Sequence, residues 1–511
     1  MAEIEIGKFT LESLTTGMYN NPEIIYREYI QNAVDSFDNA VSQKIMQGKD
    51  CRIEIIVDST RREISIKDNG TGIPKEIAEK TLFDIGNSTK KHTTNRGFRG
   101  IGRLGGLSYC KKLSFCTSAQ NESEKTLVTF DCQKLKELLV PGIAKDYNLQ
   151  KVISEVTEVQ ILSEQPSAHY FIVKMEEVDD IPSLLDIDYV TDYISQVAPI
   201  PFKDRFYWGK EIKAELAKKN YSIAEYDIFV GSSFESLAQV YKPYKITLEV
   251  SARSRSDDKK DEIQAISYFD INSDSGDTLA VGWYGELNFL GTIADERISG
   301  IRVRQGNILI GDSNTLSPYF MEGRFNHWCV GELYVVSEEL IPNARRDGFE
   351  NNKTFNEFCD CVRKTIASDL ANKIRTASKQ RNNPIAKTLS KTDKTLKEVK
   401  RVLQEGFHSS FEKEQIAKSL AEARKGLYIV PKDAPPDIGA QKADLLEQIS
   451  ELTVSVDESN NYKTKKDISS DFSKQEKKMI QAMLEVLTRN FERQIVDNLY
   501  HEFLDELKKK G

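Results

Sequence analysis

The chain has 511 residues, 39% hydrophobic and 29% charged, with 71 basic against 79 acidic side chains and a net charge of −8. That length exceeds a single hydrophobic core and predicts roughly two to four domains. The acidic balance excludes a wholesale nucleic-acid coat, although a local basic patch survives such an average. The seven cysteines (Cys51, Cys110, Cys116, Cys132, Cys329, Cys359 and Cys361) are scattered, odd in number and without a C-x-x-C pair. They indicate neither a zinc ribbon nor a disulfide scaffold and fit a reducing cytoplasm. The opening "MAEIEIGKFTLESL" lacks the basic and apolar regions of a signal peptide, and no stretch approaches the roughly 18 apolar residues of a membrane span. The expectation is a cytoplasmic protein with no membrane partner.

In chain order, Asn21 to Gly48 reads as one long helix, with Pro22 near its start and Gly48 at its end. "CRIEIIVDS" and "REISIKDNG" alternate as a pair of strands, and "IPKEIAEKTLFDIG" is a short helix. A glycine-rich stretch, Arg96 to Cys110, leads into "KKLSFCTSA", "KTLVTFDC", "TEVQILSE" and "HYFIVKMEEV", all strand-like. This is an α+β layer arrangement, and a domain boundary is expected near Asp180. Residues 181–382 mix strands and helices as an α/β middle domain, with "SRSDDKKDE" (Ser254 to Glu262) as a solvated charged loop. Residues 383–511 are predicted to be helical. There "PIAKTLSKTDKTLKEVKR" holds six basic and two acidic residues, "VPKDAPPDIG" is a linker, and Ser455 to Asp471 reads as mobile. Ser473 to Lys510 is predicted as one long amphipathic helix. Its apolar positions are Ile480, Leu484, Leu487, Phe491, Ile495, Leu499, Phe503 and Leu507, a stripe for internal packing or for self-association.

Three constellations can carry chemistry. Glu28, Asn32 and Asp35 lie at i, i+4 and i+7 on one face of the first helix, with Ile30, Val34 and Phe37 opposite. A polar stripe is often only a solvated face. This one pairs a carboxylate with an amide one turn on, the groups needed to polarise a water and hold a divalent ion. In "DNGTG", Asp68 can accept from an exocyclic amine, and Gly70 and Gly72 let a flat ring approach the backbone; the same residues also suit a plain turn. Gly97, Gly100, Gly102 and Gly105 form G-x-x-G-x-G-x-x-G, whose backbone amides can wrap a triphosphate. The "LGGLSY" that follows is expected to open a helix toward it. No Walker G-x-x-x-x-G-K-[ST] or Rossmann context is present.

In that fixed order, E-x-x-x-N-x-x-D, D-x-G-x-G and the glycine-rich stretch closely resemble the GHKL ATPase superfamily of gyrase, heat-shock protein 90, histidine kinases and MutL. The resemblance implies a Bergerat ATP-binding α/β sandwich over residues 1–180, with ATP and Mg2+ as ligands. It implies that Glu28 is the general base for the attacking water and Asn32 the magnesium ligand. Asp35 lines the nucleotide pocket, Asp68 with Gly70 and Gly72 reads the adenine, and Gly97, Gly100, Gly102 and Gly105 form the lid over the phosphates. "IGNSTKK" (Ile85 to Lys91) resembles the segment entering the lid, and "GFRG" resembles the lid of MutL. The family's G-T-x-[VI] turn is missing; the matching region is "SAHYFIVKM", where Ser167 stands nearest to the absent threonine.

None of the five histidines sits in an H-E-[LF]-like helix ahead of the ATPase core, and the chain is too short for a type II topoisomerase. "YISQVAPIPF" resembles the start of the middle domain of the heat-shock protein 90 (HtpG-like) family. "EELIPNARRDGFENN" (Glu338 to Asn352) resembles the segment that reaches the γ-phosphate there, which places Arg346 on the catalytic arginine and Arg345 beside it. The resemblance covers residues 3 to 355; the chaperone's dimerisation domain and charged linker are not recognisable. It implies an ATP-hydrolysing, chaperone-like clamp, a homodimer acting on a protein client or partner subunit. The other reading is a MutL- or MORC-like clamp on nucleic acid, supported by "GFRG" and the basic run Lys387 to Arg401. The blandest is a module that holds ATP without turning it over.

Overall fold

A computed structural model of the chain describes residues 6–14, 21–84, 102–251, 259–431, 434–464 and 473–510. It falls into two compact units, residues 1–374 and 375–511. The α/β layers with a helical C-terminal region are as the sequence predicts.

In the first unit, the short helix α1 (Phe9–Leu14) precedes α2 (Ile24–Ser42). Tyr26, Tyr29, Ile30, Ala33, Val34, Phe37 and Ala40 recur at helical spacing along α2 and are all buried. The helix is shorter than expected: Gln43 caps it, Lys44 turns left-handed at φ 59°, and Gly48 lies in a separate 3-10 turn. Strands β1 (Arg52–Asp58) and β2 (Glu63–Asp68) form an antiparallel hairpin. Ile53, Ile55, Val57, Ile64 and Ile66 point inward to one core with α2. Helix α3 (Lys75–Phe83) follows, then β3 (Lys112–Ser118), β4 (Glu124–Asp131), β5 (Thr157–Ser163) and β6 (Tyr170–Glu176).

With two later strands, β7 (Asp227–Gly231) and β8 (Ala238–Gln239), they build an eight-stranded sheet in the order β5-β4-β3-β6-β2-β1-β7-β8. These last two strands lie well beyond Asp180, and β7 runs parallel to β1. A second, five-stranded sheet is built from Ala265–Asn272, Thr278–Glu286, Val330–Val335, Gly300–Gln305 and Ile308–Leu309, in that spatial order. All six residues of Val330–Val335 are buried, Glu332 among them. A small third sheet corrects one expectation. Lys259–Glu262, read as part of a solvated loop, is a strand; Asp261 is 2% exposed and accepts from the backbone amides of Asn288 at 3.0 Å and Leu290 at 3.1 Å. The buried charge is met by three backbone N–H groups, Glu262's included, and by the Asn288 side-chain amide.

The second unit packs Pro384–Glu405, Ser410–Gly426 and Pro436–Glu458 around Leu389, Leu396, Val399, Leu420 and Ile449. Ser455 to Glu458, expected to be mobile, completes the last of these helices; residues 465–472 lie outside the described residues. The predicted terminal helix is two helices, Lys474–Asn490 and Arg493–Lys510, separated at the extended Phe491. Ile480 and Leu484 of one meet Val496, Tyr500 and Leu504 of the other. Arg493 anchors the second to Glu412 at 2.5 Å and to Glu405 at 3.0 Å, and His408 meets Asp497 at 2.7 Å.

Candidate nucleotide site

Helix α2 has three faces. One enters the sheet core. A second carries Glu28, 8% exposed, Asn32, half-buried, and Asp35, fully buried. The predicted stripe is therefore not a solvated face. One carboxylate oxygen of Glu28, Oε1, is buried and has no hydrogen-bond partner among the described residues. The other meets the glycine-rich stretch, since a Cβ at Gly102 would lie 2.1 Å from Oε2. Any side chain there would have to displace the Glu28 carboxylate.

The stretch Gly102–Ser108 is a 3-10 helix, tighter than the α-helix expected to begin there. Tyr29, one residue past Glu28, fixes it: the phenol donates to the Arg103 carbonyl at 3.0 Å and accepts from the Gly106 amide at 3.2 Å. Arg103 in turn donates to the carbonyls of Leu82 and Asp84 at the end of α3. Gly105 is buried within this stretch. Gly97, Gly100 and the Ile85 to Lys91 segment lie outside the described residues.

Asp68 takes the last inward place of β2, after Ile64 and Ile66, and is 5% exposed. Its Oδ1 accepts from the Gly70 amide at 2.9 Å. The turn is tied to α2 by Ser36, whose hydroxyl accepts from the Thr71 amide at 2.9 Å. A Cβ at Gly70 would meet that hydroxyl at 2.1 Å. Gly72 is left-handed, φ +64°, with the Ser118 carbonyl 1.8 Å from where a Cβ would sit. The structure thus brings Glu28, Asn32, Asp35, Asp68, Gly70, Gly72, Gly102 and Gly105 into one region around α2.

Ser167 is exposed. Thr117 on β3, 1% exposed, faces this turn, and its hydroxyl accepts from the Ile73 amide at 2.7 Å. His169 also holds the turn, with Nδ1 2.7 Å from the Gly70 carbonyl. Sequence reasoning missed both.

The third face of α2 meets later elements. Arg345 and Arg346 sit in a tight loop closed by Pro342 and Phe349, with the Asn343 amide donating to the Gly348 carbonyl at 3.0 Å. Arg346 is left-handed at φ 54° and 7% exposed, whereas Arg345 is exposed. Arg27, the residue before Glu28, donates from Nη2 to the Arg345 carbonyl at 2.7 Å and so ties this loop to α2. Tyr193 lies near the same turn. Burial pushes its phenol up to about 12; Glu23 and Glu28 push the same way, and Arg27 opposes them. Further along the helix, Tyr226 donates to Asp38 at 2.6 Å. Among the described residues, no three His, Cys, Asp or Glu side chains converge as a metal cluster. A cation here would rest on Asn32 and on oxygens brought by a ligand.

Residues 19–161 match the family model described as Histidine kinase-, DNA gyrase B-, and HSP90-like ATPase. Among curated proteins, the chain is 36% identical over 90 residues to Chaperone protein HtpG of Anaplasma marginale (strain St. Maries), 16% of this chain and 14% of that one. It is 30% identical over 114 residues to the Endoplasmin homolog of Leishmania donovani, 20% of this chain and 15% of that one. It is 29% identical over 158 residues to Chaperone protein HtpG of Wigglesworthia glossinidia brevipalpis, 27% of this chain and 25% of that one. The chain thus spans a quarter or less of the length of these relatives. Over residues 19–161, where the site's polar helix, aspartate turn and glycine stretch all lie, it carries a domain similar to the GHKL-type ATPase domain.

Proposed function

We propose that this chain binds ATP with magnesium and hydrolyses it to ADP and phosphate, driving a chaperone-like clamp that acts on protein partners as a homodimer. Glu28 carries the reading. A buried carboxylate with an unpaired oxygen, pressed against a glycine stretch, is poorly explained by stability alone. As general base it takes the proton of a water whose oxygen attacks the terminal phosphorus. Asp68 accepts from the adenine amine, and Gly70 and Gly72 admit the ring. Asp35 lines the pocket, and the glycines Gly97 to Gly105 cover the phosphates. Asn32 is the protein's ligand for magnesium, which when bound offsets the phosphate charge. Arg346, supplied from the 342–349 loop, neutralises charge that develops in the transition state. In this reading residues 1–180 are the ATPase domain, 181–382 the middle domain and 383–511 the region for dimerisation or partner binding, in the cytoplasm.

The test is the magnesium-dependent ATPase rate of the full chain, with and without duplex DNA at low salt, using Glu28→Ala as the blank. A Glu28-dependent rate indifferent to DNA is expected; turnover retained in Glu28→Ala overturns the assignment of the base. Strong stimulation by DNA that fades with salt would replace the protein partner with nucleic acid. The net charge of −8 weighs against that outcome; within the basic run Lys397 pairs with Asp393 and Arg401 with Glu398, both at 2.7 Å on their own helix.

A further inference from the structure

The reading above gives no role to Gln31 of helix α2. Gln31 is wholly buried, and among the described residues neither its amide oxygen nor its amide nitrogen has a hydrogen-bond partner. Buried amides normally satisfy both groups, because an unmade bond leaves the desolvation of that atom uncompensated. A leucine would fill similar space without that cost. Two more unpaired buried atoms lie on the same helical turn, Nε of Arg27 and Oε1 of Glu28. At about 100° per residue, Gln31 projects between these two side chains, one turn further along. Arg27 is held on one side by the Arg345 carbonyl, and Glu28 abuts Gly102 on the other.

The unpaired atoms are chemically complementary. Arg27 offers a donor, Glu28 an acceptor, and Gln31 one of each. A water molecule has two hydrogens to give and two lone pairs to receive with, and water is the co-substrate of hydrolysis. We infer that Gln31 is a catalytic residue that holds the attacking water in place for Glu28; this rests on the ATPase reading. The water oxygen bonds to the terminal phosphorus as the bond from that phosphorus to the bridging oxygen breaks, leaving its electron pair on ADP. One water proton passes to Glu28 and then to bulk water. The amide oxygen of Gln31 accepts the other hydrogen, so that the water's lone pair faces the phosphorus. Gln31 itself exchanges no proton, and its contribution is orientation.

The experiment compares full-length wild type, Glu28→Ala, Gln31→Leu and Gln31→Glu in steady-state ATP hydrolysis with magnesium, alongside thermal melting. If wild type shows no turnover above Glu28→Ala, the ATPase reading itself fails. Given Glu28-dependent turnover, Gln31→Leu is expected to lower kcat by roughly tenfold to a hundredfold. KM should stay within about twofold, and the melting temperature should rise because the unpaired amide is gone. Gln31→Glu sets a second carboxylate beside Glu28 and should move the rising limb of the pH–kcat profile to higher pH. A Gln31→Leu enzyme with wild-type kcat overturns the inference. If that variant does not fold, Gln31→Asn replaces it, since it keeps the amide but withdraws it by one methylene: a folded Gln31→Asn enzyme with wild-type kcat overturns the inference.

Discussion

At the scale of single residues, the two arginines of the 342–349 loop are separable. Arg345 is exposed and meets α2 through its backbone carbonyl, a contact that any side chain at that position keeps. Arg346 is the buried one of the pair. Arg346→Ala is therefore expected to cut turnover by roughly a hundredfold while ATP affinity, read by calorimetry, stays within about threefold. Arg345→Ala should do neither. The reverse pattern would move the role by one residue. The same scale shows why some of the site was hidden in the sequence. Thr117 is a β-branched residue in a strand-like run and reads as an ordinary strand former, although its hydroxyl holds the Gly72–Ile73 turn. Arg27 looks like one more solvated charge on a helix until the loop more than three hundred residues later supplies its acceptor. Glu28, Asn32, Asp35 and Asp68 were legible because their spacing is fixed by one helix and one strand end, with no long-range partner needed.

At the scale of elements, the five-stranded sheet carries a charge network inside its core. Glu332 is fully buried, 2.6 Å from Lys242 and paired also with Arg304 and the Tyr334 hydroxyl. Burial alone would raise its pKa, but Arg304 and Lys242 together draw it down to about 2. Its folded pKa lies below the unfolded value of 4.5, so the stabilisation is present above pH 4.5 and lost as pH falls from there toward 2. A shift of that size corresponds to roughly 3 kcal/mol. Chemical denaturation at pH 6 and pH 3.5 should show a loss that shrinks in Glu332→Gln after correction for that variant's own lower stability. An equal loss in both proteins would place the acid sensitivity elsewhere. The last two helices teach a different lesson. The apolar spacing runs unbroken from Ile480 to Leu507, so periodicity alone joins them, yet the chain breaks at Phe491. Beyond the break the buried positions are Val496, Tyr500 and Leu504, while Ile495, Leu499 and Phe503, each one residue earlier, are exposed. Neither glycine nor proline marks the break. Across the break one helix packs back on the other, a tertiary contact that spacing cannot reveal.

At the scale of the whole molecule, the first sheet does not end where composition suggests a boundary. Strand β1 pairs with β2 on one edge and with β7 on the other, from Arg52 with Asp227 to Ile56 with Gly231. No local pattern announces a parallel partner so far along the chain, and that part of the topology was illegible. A fragment ending at residue 180 therefore leaves one edge of β1 unpaired, while one ending at residue 374 completes the sheet. The shorter fragment is expected to aggregate on expression and the longer to be recovered as a cooperatively melting species. A well-behaved 1–180 fragment that binds ATP would show that β7 is dispensable.

The same pairing sets a clock on synthesis. The edge of β1 is ready once Asp58 is made, but its partner comes only with Asp227 to Gly231. At about 5–20 residues per second, the interval is on the order of 10 to 35 seconds. Throughout it a strand carrying Ile53, Ile55 and Val57 waits with one edge open while the rest of the sheet is made. Translation pauses ahead of Asp227 would lengthen that exposure, and pauses after Gly231 would not.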